Sequence, residues 1–222
     1  MGDNLYDVEA YLTKYIEGYL FGDIEAIIKH VPVRQNGAAG YPIIMAVCSG
    51  IEILGTLVRG TLSQPFSDLD TAKYFGHYWK NYLAMVNPSY ASHGELMRVL
   101  VRNGLAHTFA TKKGIGITRH GNALHLEIHQ GQLVINANCF YEDFKKSYVE
   151  IAKPLIFHGG ELHDLAQQRL NELLAANDIE AERVLTQAKI VDKLIDSHNL
   201  LTRNTARASG ASGATYMPKF DQ

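Results

Sequence analysis

Residues 101–109, "VRNGLAHTF", set Arg102, Asn103 and His107 at i, i+1 and i+5. The first question is whether this is a reaction site or a helix that finishes on a histidine. Spacing alone does not decide, because Arg119 and His125 make a similar pair in a turn and a strand. The surrounding charge adds information. From Arg98 to Leu126 there is no acidic residue, while Arg98, Arg102, Lys112, Lys113 and Arg119 supply positive charge and His107, His120 and His125 fall in the same stretch. In a chain of net charge −2 this is a local cationic island, the footprint that phosphate binding needs. A solvated turn is the plainer reading.

The helix that must carry the three residues limits what they can do together. Met97, Val101, Leu105 and Phe109 form one i+4 row flanked by Leu96 and Leu100, an apolar arc that faces a bundle. His107 falls at one edge of the arc with Asn103 a turn before it. Arg102 projects roughly 100° from Asn103 and roughly 140° from His107 on an ideal helix. Three such side chains converge only if the helix end distorts or a second copy packs alongside, as a twofold dimer would provide. A histidine hydrogen-bonded at the core edge near a helix C-terminus is the structural alternative.

Helical spacing recurs over 4–30, from about 43 to 59, from 68 to 86 and from 92 to 110. Asp68 is a candidate N-cap, and Ser92 with Glu95 forms a candidate capping box. After "TKKG" the period changes to two. "ALHLEIH" and "QLVINAN", joined at Gln130–Gly131, predict a β-hairpin, and "GIGIT" a third strand. Helical spacing returns at about 139–156, 161–176 and 178–200, with breaks at "FHGG" and Asn177. The expected architecture is mainly α: a helical bundle over 1–156 with a β-hairpin at about 115–138. A helical extension follows over 157–200, then a small, polar, glycine-rich flexible tail over 201–222.

Composition fits a folded domain, with 46% hydrophobic and 20% charged residues in 222. Cys48 and Cys139 are the two cysteines, which excludes a disulfide framework and a thiolate zinc site. The N-terminal "MGDNLYDVEAYL" is acidic where a secretion signal is basic. The most apolar run, "YPIIMAVCSGIEILGTLV", carries Glu52 and is barely long enough to span a bilayer, so a core helix is expected. A cytoplasmic protein with no membrane partner follows. No Rossmann fingerprint or P-loop occurs, and no cofactor or metal is expected.

"RNGLAH" resembles the Arg-polar-x-x-x-His motif of the HEPN superfamily, which also sits near the end of a bundle helix. The resemblance covers the bundle pattern of the first 155 residues or so, and its specific part is six residues long. It implies a HEPN-like fold, a homodimer with two motif copies in one cleft, and a metal-independent endoribonuclease acting on single-stranded RNA. Toxin–antitoxin and phage-defence roles follow from it, with an antitoxin protein as a candidate partner. It assigns Arg102, Asn103 and His107 as catalytic. The ribose 2′-OH is the nucleophile, His107 titrates near neutrality as general base or acid, Arg102 holds the phosphoryl oxygens, and Asn103 orients the phosphate. RNA phosphates would fall to Arg98, Lys112, Lys113 and Arg119. Phe109 stands where toxins paired with nucleotidyltransferases carry a modifiable tyrosine, so that regulation is not expected. A HEPN-like bundle without catalysis, binding RNA or protein, is the alternative.

Glu52 stands alone among apolar neighbours and needs a partner if buried. Arg98 or Arg102 is the expected one, with Ser49 a turn away and both acting as supporting groups of the site. A purely structural ion pair is equally consistent. Other clusters read as structure. His125, Glu127 and His129 share one strand face, a candidate metal set, though the wet face of a hairpin with Leu124, Leu126 and Ile128 buried is favoured. "HGGELH" lacks the HExxH order and reads as a turn into a helix. Tyr74, Tyr78, Trp79 and Tyr82 recur at helical spacing and suit core or dimer packing.

Overall fold

The computed structural model describes residues 7–34, 38–60, 70–108, 110–111, 113–121 and 124–208, with the side chains of 100, 106–108 and 190–208 left aside. The chain divides into two units, Met1–Leu173 and Leu174–Gln222.

In the first unit the Asp7 carboxylate accepts the Ala10 N–H at 3.1 Å and starts helix α1, residues 8–30. Its i+4 row of Val8, Leu12, Ile16 and Ile24 is buried. The row holds although the middle of the helix, Leu12–Phe21, widens to i→i+5 bonding. Helix α2, Gly40–Val58, is buried along most of its length and packs chiefly on the two aromatic helices that follow. Among the described residues it is the one helix long and apolar enough to cross a membrane, but 61% of that window is buried within the fold, as a core helix's would be.

Helix α3, residues 71–86, carries Tyr74, Phe75, Tyr78, Trp79 and Tyr82 into the core. Phe75 stacks on Trp79 at 5.5 Å and Tyr78 on Tyr82 at 4.9 Å. Polar tips find partners: Trp79 Nε1 donates to the Tyr90 carbonyl at 2.7 Å, and Tyr78 Oη meets Ser147 Oγ at 3.0 Å. Asp68 lies outside the described residues. A 3₁₀ turn, Pro88–Ser92, capped by the Asn87 side chain, leads into α4, residues 94–108. The expected capping box is not formed. Ser92 lies inside the turn, its hydroxyl on His93 Nδ1 at 3.2 Å, and Glu95 pairs with Arg98.

Strands β1 (Ile115–Thr118), β2 (Glu127–His129) and β3 (Gln132–Asn136) form one sheet in the order β1-β3-β2. The hairpin joins β2 to β3 with Glu127 opposite Val134, and β1 lies parallel to β3 with Ile115 opposite Leu133. Gln130 (φ 49°) and Gly131 (φ 76°) take the two positive values that match a two-residue loop to strand twist. Helix α5, residues 137–157, is capped by the Asn136 side chain and presents Phe140, Tyr141, Phe144 and Tyr148 to the core. Gly159 and Gly160, at φ 80° and 83°, turn the chain into α6, Glu161–Ala208, where Leu165, Ala166 and Leu170 are buried.

In the second unit α6 continues as helix to Ala208. No break occurs at Asn177, and residues 201–208 are helical where a flexible tail was expected. One asparagine lowers helix propensity by well under 1 kcal/mol, too little to stop a helix. Residues 209–222 lie outside the described residues.

Candidate functional site

Arg102 and Asn103 stand where α4 changes character, the wide turn Met97–Arg102 giving way to ordinary helix at Asn103–Thr108. The two side chains leave an ideal helix roughly 100° apart, a gap that the long Arg102 side chain can span. Here Arg102 Nη1 donates to Asn103 Oδ1 at 3.2 Å. On its other branch, Arg102 Nη2 donates to Glu52 Oε2 at 2.9 Å, and that carboxylate comes from α2. Of the two arginines expected to meet Glu52, Arg102 is the one that does. The pair is part-buried, with side-chain exposure of 31% for Arg102 and 21% for Glu52. The guanidinium is therefore oriented from two sides while part of it stays open to solvent, the arrangement that suits a forked anion contact.

The remaining neighbours are less engaged. Ser49 is exposed and its hydroxyl donates to the Met45 carbonyl of its own helix at 3.0 Å, so it does not reach Arg102. Cys48, one turn before Glu52, is fully buried; burial first and the Glu52 charge second push its thiol up to about 12. It is no nucleophile at neutral pH. His107 lies on the α4 backbone within Asn103–Thr108, and its side chain is outside the described set, as are Lys112 and Phe109.

The cationic island is smaller in three dimensions than along the chain. Arg119, expected at phosphates, is buried at 4% exposure. Its guanidinium donates to the carbonyls of Ala38 (2.6 Å), Val31 (3.2 Å) and Ile28 (3.2 Å) and to Asn138 Oδ1 (3.1 Å). That satisfies backbone carbonyls at the end of α1 and on the approach to α2, and the Asn138 side chain at the start of α5, so the guanidinium is committed within the fold. Arg98 forms a two-bond fork with Glu95, at 2.8 and 3.2 Å. Lys113 is exposed.

A second polar cluster has no signal in the sequence. The Tyr90 hydroxyl lies 2.6 Å from His125 Nε2 and donates to Asp143 Oδ2 at 3.0 Å, while His125 Nδ1 accepts the Asn136 N–H at 3.2 Å. A backbone donor on Nδ1 fixes the neutral imidazole with its proton on Nε2, facing Tyr90. Burial lowers the His125 pKa, against the opposing pull of Asp143. Tyr90 is fully buried, and burial raises its phenol far above the ordinary range. The cluster pins the loop between β1 and β2 to the bundle. Its members lie 35 and 53 residues apart, beyond any local period.

His125 also corrects the strand reading. It precedes β2, and Leu126 takes a left-handed φ of 59°, which breaks the alternation. His125 turns inward, Leu126 is buried and Ile128 is 72% exposed, so the face expected to be wet does not exist as one face. Among the described residues no three of His, Cys, Asp and Glu come together as a metal site. In "HGGELH", His163 Nδ1 lies 3.1 Å from the Ile156 carbonyl, within a turn into α6.

The chain matches no family model, no curated protein and no solved structure.

Proposed function

We propose that the protein is a metal-independent endoribonuclease of the HEPN type that cuts single-stranded RNA as a homodimer through Arg102, Asn103 and His107. The observation that carries this reading is the Arg102 guanidinium, held by Glu52 at 2.9 Å and Asn103 at 3.2 Å while still partly open to solvent. A fixed, permanent, forked charge is what a phosphorane's oxygens need, and its orientation before substrate arrives avoids reorganisation during reaction. In this reading His107 takes the proton from the ribose 2′-OH as the oxygen attacks phosphorus. The bond to the 5′-oxygen breaks, that oxygen receives a proton from the partner copy's histidine, and a 2′,3′-cyclic phosphate end remains.

Phosphate binding is correspondingly narrower than the sequence implies. Arg119 drops out, and the phosphate contacts proposed are those of Lys112 and Lys113 with Arg102. Arg98 is available by exchange, because Glu95 is 76% exposed and a surface pair of this kind is worth about 1 kcal/mol or less.

The test is RNA cleavage in EDTA with end-group analysis. Cleavage that persists in chelator, leaves cyclic phosphate and disappears in both Arg102→Ala and His107→Ala is expected. Cleavage unchanged by His107→Ala refutes the mechanism. RNA binding without cleavage in the unmodified protein would show the bundle to be a binding module.

A further inference from the structure

Two acid-free stretches of the sequence meet in the fold. One runs from Arg98 to Leu126, and the other from Ala26 to Ile51, bounded by Glu25 and Glu52. The buried Arg119 joins them, its guanidinium donating to the Ile28, Val31 and Ala38 carbonyls. The next residue, His120, sets its Nε2 3.2 Å from the Arg34 carbonyl. Lys29, His30, Arg34 and His120 are all exposed at this junction.

Its two permanent surface charges are uncommitted. A lysine near a helix C-terminus ordinarily turns to the last carbonyls, but Arg119 takes those of Ile28 and Val31 from the inside. Among the described residues no carboxylate or carbonyl engages the side chain of Lys29 or Arg34. The four Arg119 acceptors are neutral, so the junction draws in no acid of its own. Glu25, one turn before Lys29, is engaged by Lys145 and Tyr141 of α5, and Asp143 by Tyr90. Glu142 is exposed a turn beyond Asn138 and pairs with neither cation.

The place of this surface narrows what it would bind. Gly40 at the start of α2 sits against Arg119, where a Cβ would stand 3.8 Å from the arginine Cγ, and Glu52 of the same helix holds Arg102. The step from 40 to 52 is about 18 Å of helix. Between them the exposed positions of α2, Pro42 and Ser49, carry no charge. A gap of that size exceeds the Debye length of about 8 Å at physiological salt. The two cationic points are therefore separate contacts, which a strand of phosphates can reach together and a single small anion cannot.

We propose that Lys29 and Arg34 bind the phosphate backbone of single-stranded RNA at a second contact, about 18 Å along α2 from Arg102. The choice of RNA as the polyanion rests on the endoribonuclease reading above.

The probe is a 2′-O-methyl oligouridylate of about 12 nucleotides, which lacks the attacking hydroxyl and so reads binding without cleavage. Its affinity for the full chain is measured from about 50 to about 200 mM salt. Lys29→Gln with Arg34→Gln removes two phosphate contacts. At about 0.7 per contact on a single strand, the slope of log affinity against log salt should fall by about 1.4. The loss of affinity is then about seven-fold greater at the low-salt end than at the high-salt end. Lys80→Gln with Lys189→Gln, the same change of charge at exposed positions elsewhere, should leave the slope as it was. An unchanged slope in the Lys29 and Arg34 variant overturns the proposal, and loss of its binding to phosphatidylserine vesicles would then give the surface to a membrane. An equal fall in the control pair overturns it too, as does failure of the unmodified protein to bind the probe. If the slope is unchanged while EDTA-resistant cleavage persists, the endoribonuclease reading stands without this surface. A fall in slope in a protein that does not cleave supports the surface and removes the cleavage.

Discussion

Gly55→Ala is the sharpest probe of how the fold holds its candidate site. Gly55 lies on α2, three residues after Glu52, where α2 crosses α3. A Cβ there would stand 2.6 Å from the Tyr74 carbonyl carbon, closer still to its oxygen, and 3.3 Å from Tyr78 Cβ. Ordinary carbon contacts begin near 3.5 Å, so the two helices would have to part by about 1 Å. The obstacle is backbone, which cannot swing aside as a side chain can. Overpacking costs about 1–3 kcal/mol, and this position belongs at the upper end. Better helix propensity returns about 1 kcal/mol, leaving a net loss of about 2 kcal/mol. Urea unfolding at constant slope is the assay. Gly76→Ala on α3 is the control, because nothing lies within 4 Å of its Cβ; it should gain up to about 1 kcal/mol from propensity. If the two variants shift the midpoint alike, the close crossing of α2 and α3 is wrong. Displacement of α2 would also separate Glu52 from Arg102, so Gly55→Ala should impair the RNA cleavage proposed above more than its stability loss explains.

Two further outcomes follow from buried polar groups. Arg119→Ala strands three backbone carbonyls and the Asn138 side chain, and should destabilise by about 3 kcal/mol or more on urea unfolding; the salt dependence of RNA binding should stay as in the unmodified protein, and a reduced slope would return Arg119 to the phosphate-binding surface. His125 is held neutral by burial, below its ordinary value of 6.5. As pH falls past 6.5 the unfolded chain takes up this proton while the folded chain does not, so stability declines toward the lower folded-state pKa. Urea midpoints at pH 7.5 and 5.5 should differ less in His125→Gln than in the unmodified protein, since His77 is also lowered by burial and contributes the remainder. An equal difference in both would show that His125 is not the source.

What the sequence by itself determined is whatever a local period carries. The buried row of α1, the apolar α2, the aromatic face of α3 and the Gln130–Gly131 hairpin all follow from side chains three, four or two residues apart, since those intervals set which groups share a face. The same reasoning placed Arg102 and Asn103 on one helix and required a partner for Glu52. Tertiary structure decided the rest, because charge and hydrogen-bonding capacity acquire meaning only from what surrounds them. Five cations in an acid-free stretch look alike along the chain. Folding buries Arg119 among carbonyls, ties Arg98 to Glu95 and leaves Arg102 oriented and partly open. Burial forced the outcome for Arg119, since a desolvated guanidinium must take the nearest acceptors, and here they come from α1, the approach to α2, and α5. The contact of Arg102 with Asn103 was likewise invisible to a reading by helical angles alone. His125 drew its role from Tyr90 and Asp143, contacts that only the packed bundle creates.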